Sequence, residues 1–118
     1  MANLEALRKY GIDTDEGLAC CADDPAFYEE MLGEFLSEGE ERLAELRAFF
    51  EARGWKGYTI CAHSVKSTSR MIGAKALSEH ARELELAGKA EDAAAIEGAH
   101  AAFLAEYAAL LETLRAAL

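Results

Sequence analysis

From Phe27 to the C-terminus, apolar residues return every third or fourth position, and the rhythm pauses only at short, mostly glycine-bearing breaks. That spacing is the period of an amphipathic helix, not of a strand. The single proline, Pro25, stands at the start of this stretch, where its missing N–H costs a helix nothing. Alanine and leucine dominate while valine and isoleucine are scarce, which again favours helix over sheet. With 118 residues, 52% of them apolar, the expectation is one packed domain over residues 1–118.

Residues 1–10 carry Leu4, Leu7 and Tyr10 and stop at Gly11, a short helix. Asp13, with Glu16 three residues on, resembles a capping box and opens a second short helix to residue 21. Asp23-Asp24-Pro25 starts a long helix that ends near Arg53-Gly54. Gly33 and Gly39 inside it cost about 1 kcal/mol each relative to alanine. Its Phe27, Phe35, Phe49 and Phe50 are read as a core stripe, and Trp55 as a cap over one end of the bundle. Further helices are expected over 57–72, closed by Gly73, and over 74–87, with Gly88 in the stop position. The last begins near Glu91-Asp92 and runs through Ile96, Phe103, Tyr107 and Leu111. Short connections make successive long helices antiparallel neighbours. The expected fold is therefore all-α, an antiparallel up-and-down four-helix bundle with one or two short N-terminal helices.

Twelve Lys+Arg against 22 Asp+Glu give a formal charge of −10. Such a chain repels nucleic-acid backbones and anionic lipid. No apolar run approaches the ~20 residues of a membrane span, and the N-terminus lacks the basic-then-apolar pattern of a signal peptide. A cytoplasmic location is expected, and the initial Met with a complete bundle favours a separate protein. Cys20, Cys21 and Cys61 form no Cys-x-x-Cys and read as reduced, mostly buried thiols. His63, His80 and His100 share no metal-ligand spacing within one helix. The acids read as solvated helix faces, so no metal site and no cofactor of the chain's own are expected. His80 is read as a rim residue and His100 as structural.

One helix departs from this simple logic. At about 100° per residue, Tyr58, Cys61, Ala62, Val65, Ser69 and Ile72 fall on a core side. Thr59, His63, Lys66, Ser67 and Arg70 fall on the other, flanked by Ile60 and Met71. Residues 58–90 hold five basic and three acidic residues, whereas 1–57 hold six and 14, and 91–118 one and five. The only net-positive stretch thus surrounds His63, with Lys66 one turn on and Arg70 one turn further, a setting that suits an anion beside the imidazole.

At these residues the sequence resembles the histidine-containing phosphotransfer (HPt) domains of two-component phosphorelays. The resemblance is carried by Ala62-His63-Ser64-Val65-Lys66-Ser67, Thr68-Ser69, Ile72-Gly73-Ala74, Leu77 and Leu84-Glu85. The flanks Gly11-Ile12-Asp13, Gly17-Leu18, Phe27-Tyr28 and Leu32 to Phe35 agree. One departure stands out: the family's usual glycine after the lysine is Ser67 here. The resemblance implies that His63 is the phosphoacceptor and that Lys66 offsets phosphoryl charge, with Arg70 and Lys89 as further candidates. It implies docking through Ile60 and Met71, with a polar rim of Ser64, Ser67 and Arg70. The implied partners are a response-regulator receiver domain, which supplies the aspartate and Mg²⁺, and a sensor histidine kinase. The chain has no Gly-rich phosphate loop and no recognisable ATP site, so a phosphocarrier rather than an ATP-using enzyme is implied, and a monomer is expected because a transient carrier must leave its site open. An alternative is an interaction module that docks a receiver or kinase without phosphorylation. A bundle holding a metal or haem through His and Cys would need two ligands facing one cavity.

Overall fold

The computed structural model describes residues 2–118; Met1, with which the N-terminal stretch begins, lies outside the described residues. Six helices and no strand are present among them: α1 (Leu4–Tyr10), α2 (Thr14–Cys20), α3 (Pro25–Glu51), α4 (Trp55–Met71), α5 (Lys75–Lys89) and α6 (Ala93–Ala117). α3 packs on α4, α4 on α5, α5 on α6, and α6 back on α3. The 27 residues of α3 at 1.5 Å each span about 40 Å, which matches the 40 Å long axis of the molecule.

The caps expected from the sequence form where acids precede helices. Asp13, Asp24 and Asp92 each accept backbone N–H groups from the first turn of α2, α3 and α6, satisfying donors that have no partner within the helix. Gly11 closes α1 at φ 114°, a left-handed conformation that glycine takes without strain. Gly73 does the same between α4 and α5 at φ 86°. Its carbonyl accepts the Asp13 N–H at 2.9 Å, so the turn that aligns the two helices is pinned to the start of α2. Lys75 bridges Asp13 and Glu16 at 3.0 and 2.6 Å and reinforces that anchor.

The α4–α5 contact is built from small residues. Ala62 and Ser69 of α4 and Ser78, Ala81 and Gly88 of α5 are all buried, which lets the two backbones approach. Gly88 was expected to stop α5. It lies inside the helix instead, and Thr59 packs where its Cβ would sit, so glycine serves the close approach of α4 and not a stop. α4 likewise starts earlier than expected, at Trp55, whose ring packs edge-on against Phe50 and Tyr58.

The aromatic stripe needs one correction. Phe35 is buried and Phe49 and Phe50 are half-buried, but Phe27 is exposed. Tyr28 takes the inward position in that first turn, and its hydroxyl donates to the Ile72 carbonyl at 2.7 Å. Cys21 and Cys61 are buried and Cys20 is exposed. Burial pushes the Cys61 thiol up to about 11, which keeps it protonated and unreactive. No described helix is long and apolar enough to cross a membrane.

Candidate functional site

His63 sits at the midpoint of α4. The helix turns Tyr58, Cys61, Ala62, Val65 and Ser69 inward, all buried, which fixes the opposite side outward. His63, Ser67, Arg70 and Ile60 are exposed there, while Thr59, Ser64, Lys66 and Met71 are half-buried. The helical wheel is thus reproduced except at Thr59, which is turned partly toward α5 and packs on Gly88. Ile60, 62% exposed, lies one turn before His63.

The decisive neighbour comes from α5. Glu85 Oε2 lies 2.6 Å from His63 Nδ1, and Glu85 Oε1 lies 2.6 Å from Lys66 Nζ. Lys89 Nζ approaches the same carboxylate at 3.6 Å. The Glu85 side chain is only 4% exposed, whereas that of His63 is 58% exposed. Burial by itself would push the Glu85 carboxyl up. Hydrogen bonds from Lys66 and His63, together with the lysine charge, outweigh it and bring the group down to about 2. An ionised carboxylate can only accept hydrogen bonds. His63 Nδ1 therefore carries a proton, and in the neutral ring it is Nε2 that keeps the lone pair.

The supporting contacts hold this arrangement in place. Ser78 Oγ donates to the Lys66 carbonyl at 2.9 Å and locks α5 onto α4 beside the site. Thr59 and Thr68 return their hydroxyls to carbonyls four residues back within α4. Arg70 does not join the Glu85 cluster. With Lys66, Ser67, Lys75, Ser78 and Arg82 it lines a neighbouring groove of about 530 Å³. Ile60 and Lys89, with Lys56, Thr59 and Gly88, border a second, more apolar groove on the other side of His63.

A family model described as the Hpt domain matches residues 30–117 of this chain. The chain belongs to the Hpt family. Hpt domains take part in phosphorelay histidine phosphotransfer with two-component receivers and kinases, as phosphocarriers rather than enzymes. Comparisons with curated proteins and with solved structures return no match. The match takes in α4, α5, α6 and most of α3, and so includes every residue of the His63–Glu85 cluster.

The other histidines lie elsewhere. His100 is buried, stacked on Phe50 at 3.8 Å between ring centroids, with Nδ1 2.9 Å from the Tyr58 hydroxyl. Burial, and then the Arg47 charge, push its pKa down and favour the neutral ring, which shares a hydrogen bond with the Tyr58 hydroxyl. His80 is exposed and pairs with Glu106 at 2.7 Å. Among the described residues no group of three or more His, Cys, Asp or Glu is placed to hold a metal ion.

Proposed function

We propose that this Hpt domain is a phosphorelay carrier whose His63 accepts a phosphoryl group from a receiver aspartate or a histidine kinase and passes it to a receiver aspartate. The observation that carries this reading is the His63–Glu85 pairing, which leaves Nε2 free on an outward face with Lys66 beside it. In uptake, the Nε2 lone pair attacks phosphorus, the Nε2–P bond forms, and the bond from phosphorus to the aspartyl oxygen breaks. The electron pair leaves with the aspartate carboxylate. His63 keeps its Nδ1 proton throughout, so the ring gains positive charge as it reacts. Glu85 faces that charge through the Nδ1–H bond, a stabilisation that grows toward the transition state. Rigid presentation on a packed helix is the rest of this chain's contribution.

Lys66 and Lys89 offset phosphoryl charge in this reading, and Arg70 serves the rim of the docking face. Ile60 and Met71 give the receiver an apolar seat, framed by Ser64, Ser67 and Arg70. Ser67, in place of the usual glycine, is exposed and points away from the core, which supports access by a partner. Mg²⁺ belongs to the receiver's aspartate site, and no residue of this chain is assigned to it. The ring of helix contacts and the short connections support an antiparallel up-and-down four-helix bundle acting as one domain over residues 1–118, and in this reading it acts as a monomer in the cytoplasm.

The test is phosphotransfer from a phosphorylated receiver in the presence of Mg²⁺. Acid-labile phosphate is expected on the wild type and none on His63→Gln. Absence of label with every receiver and kinase of the source organism would sink the proposal. Tight receiver binding without label, unchanged by His63→Ala, would instead favour a docking module.

A further inference from the structure

α5 carries a second surface, turned away from His63. At about 100° per residue, His80 and Glu83 lie roughly 140–160° around α5 from Glu85. They face α6, and with it they form an open groove of about 340 Å³. Its floor is apolar: Leu84 and Phe103 are buried beneath it, and Ala99 and Ala102 present methyl groups. Its rim is acidic, from Glu83 and Glu106, with the His80 ring held against Glu106. No Lys or Arg lines it. One turn beyond Glu83, Leu86 is 49% exposed and extends the apolar surface along α5.

We propose that this groove docks a basic amphipathic helix from a partner protein. The small floor residues let a helix approach closely, and its apolar side chains would lie on Ala99, Ala102 and Phe103. Its Lys or Arg side chains would reach Glu83 and Glu106. Charge decides against other occupants. A second copy of this chain carries −10 overall, which weighs against it although its Lys66–Arg82 face is basic, and self-association is therefore an outcome of the test; an anionic membrane is repelled by the same net charge. The groove and the Glu85 cluster lie on different faces of α5, so an occupant leaves His63 open. A partner tethered there would raise the local concentration of a receiver at His63 without covering it.

The experiment uses the full chain and a fluorescent Leu/Lys helical peptide of about 18 residues, read by anisotropy and by amide shift mapping. Its control is a peptide of the same composition, scrambled so that the leucines share no face. The amphipathic peptide is expected to bind at least about tenfold more tightly than the scrambled one. Shifts should centre on Ala99, Ala102 and Glu83. Glu83→Lys with Glu106→Gln should weaken binding about tenfold or more, and Ala102→Gln, which fills the floor and keeps the charge, should weaken it too. Phosphoryl uptake at His63 by the Glu83→Lys variant should match the wild type. Equal binding of both peptides would show attraction to bulk charge only and overturn the proposal. So would shifts centred on α3 or His63, variants that bind as wild type does, or self-association that the peptide reverses.

Discussion

Replacing Glu85 with alanine tests what the buried carboxylate does to the imidazole. In the wild type, Nδ1–H donates to an ionised group at 2.6 Å. A hydrogen bond to a charged group contributes about 1.5–3 kcal/mol, or a factor of about 10–150 in the tautomer ratio. Glu85→Ala removes that bias, and the Nε2–H form becomes well populated. The ratio is read from the imidazole ¹⁵N shifts at about pH 8.5, well above the ordinary imidazole value of about 6.5. The tautomer effect alone slows phosphoryl uptake only a few-fold, since a free ring keeps a share of the reactive form. Loss of the carboxylate facing the developing ring charge adds the rest, for a total of about 10- to 100-fold. Rapid-quench transfer from a phosphorylated receiver measures it. An unchanged tautomer ratio would refute the orientation argument. A shifted ratio with wild-type transfer would refute its chemical consequence.

Four further outcomes follow from the same contacts. Because the folded Glu85 carboxyl lies below its unfolded value, at about 2 against 4.5, it adds stability that is complete above about pH 5 and lost as pH falls toward 2. At ~1.4 kcal/mol per unit this is at most about 3.5 kcal/mol, so the stability gap to Glu85→Ala in urea titrations should shrink as pH drops from 5 to 2; a constant gap would contradict it. Tyr58→Phe leaves His100 Nδ1 without its partner and should cost about 1–3 kcal/mol in urea unfolding with uptake at His63 unchanged. Gly88→Ala pushes a methyl into Thr59; overpacking of about 1–3 kcal/mol should exceed the gain in helix propensity of about 1 kcal/mol, and Thr59→Ala should rescue it. Lys66→Gln should shift the equilibrium of transfer toward the receiver only about two- to fivefold, because its bond to the phosphoryl group competes with its bond to Glu85, seen as less label retained on this chain at equal concentrations.

The sequence was most legible where a single helix decides the answer. In α4 the 100° rotation placed His63, Lys66, Ser67 and Arg70 outward and Tyr58, Cys61 and Val65 inward, and all lie so. It was least legible where two helices decide together. Gly88 looks like a helix stop until Thr59 is known to occupy its missing side chain. Phe27 and Tyr28 are adjacent aromatics, and only the position of the α4–α5 turn selects Tyr28 for burial, through its bond to Ile72. The role of Glu85 escaped for the same reason. A signal did exist: Leu77, Ser78, Ala81, Leu84, Glu85 and Gly88 form one buried stripe of α5, and a carboxylate in such a stripe demands cationic partners. Nothing along the chain says that those partners are on α4.

The charges around His63 suit a carrier better than a store. At rest, two ammonium groups and an imidazole share one carboxylate, and that carboxylate is buried while Lys66 and Lys89 are 29% and 63% exposed. A phosphoryl group on Nε2 would add nearly two negative charges, and both lysines have the freedom to turn toward it. Each hydrogen bond they give it is withdrawn from Glu85, whose burial makes that withdrawal costly. The net hold on the phosphoryl group is therefore a difference between two competing attractions, smaller than two unpaired lysines would exert. A group held by a small difference can move on to the next aspartate. In the proposed reading the same carboxylate selects the reactive nitrogen, so orientation and release would be coupled through one side chain. That coupling needs α5 close against α4, which is what Gly88, Ala62, Ser69, Ser78 and Ala81 permit.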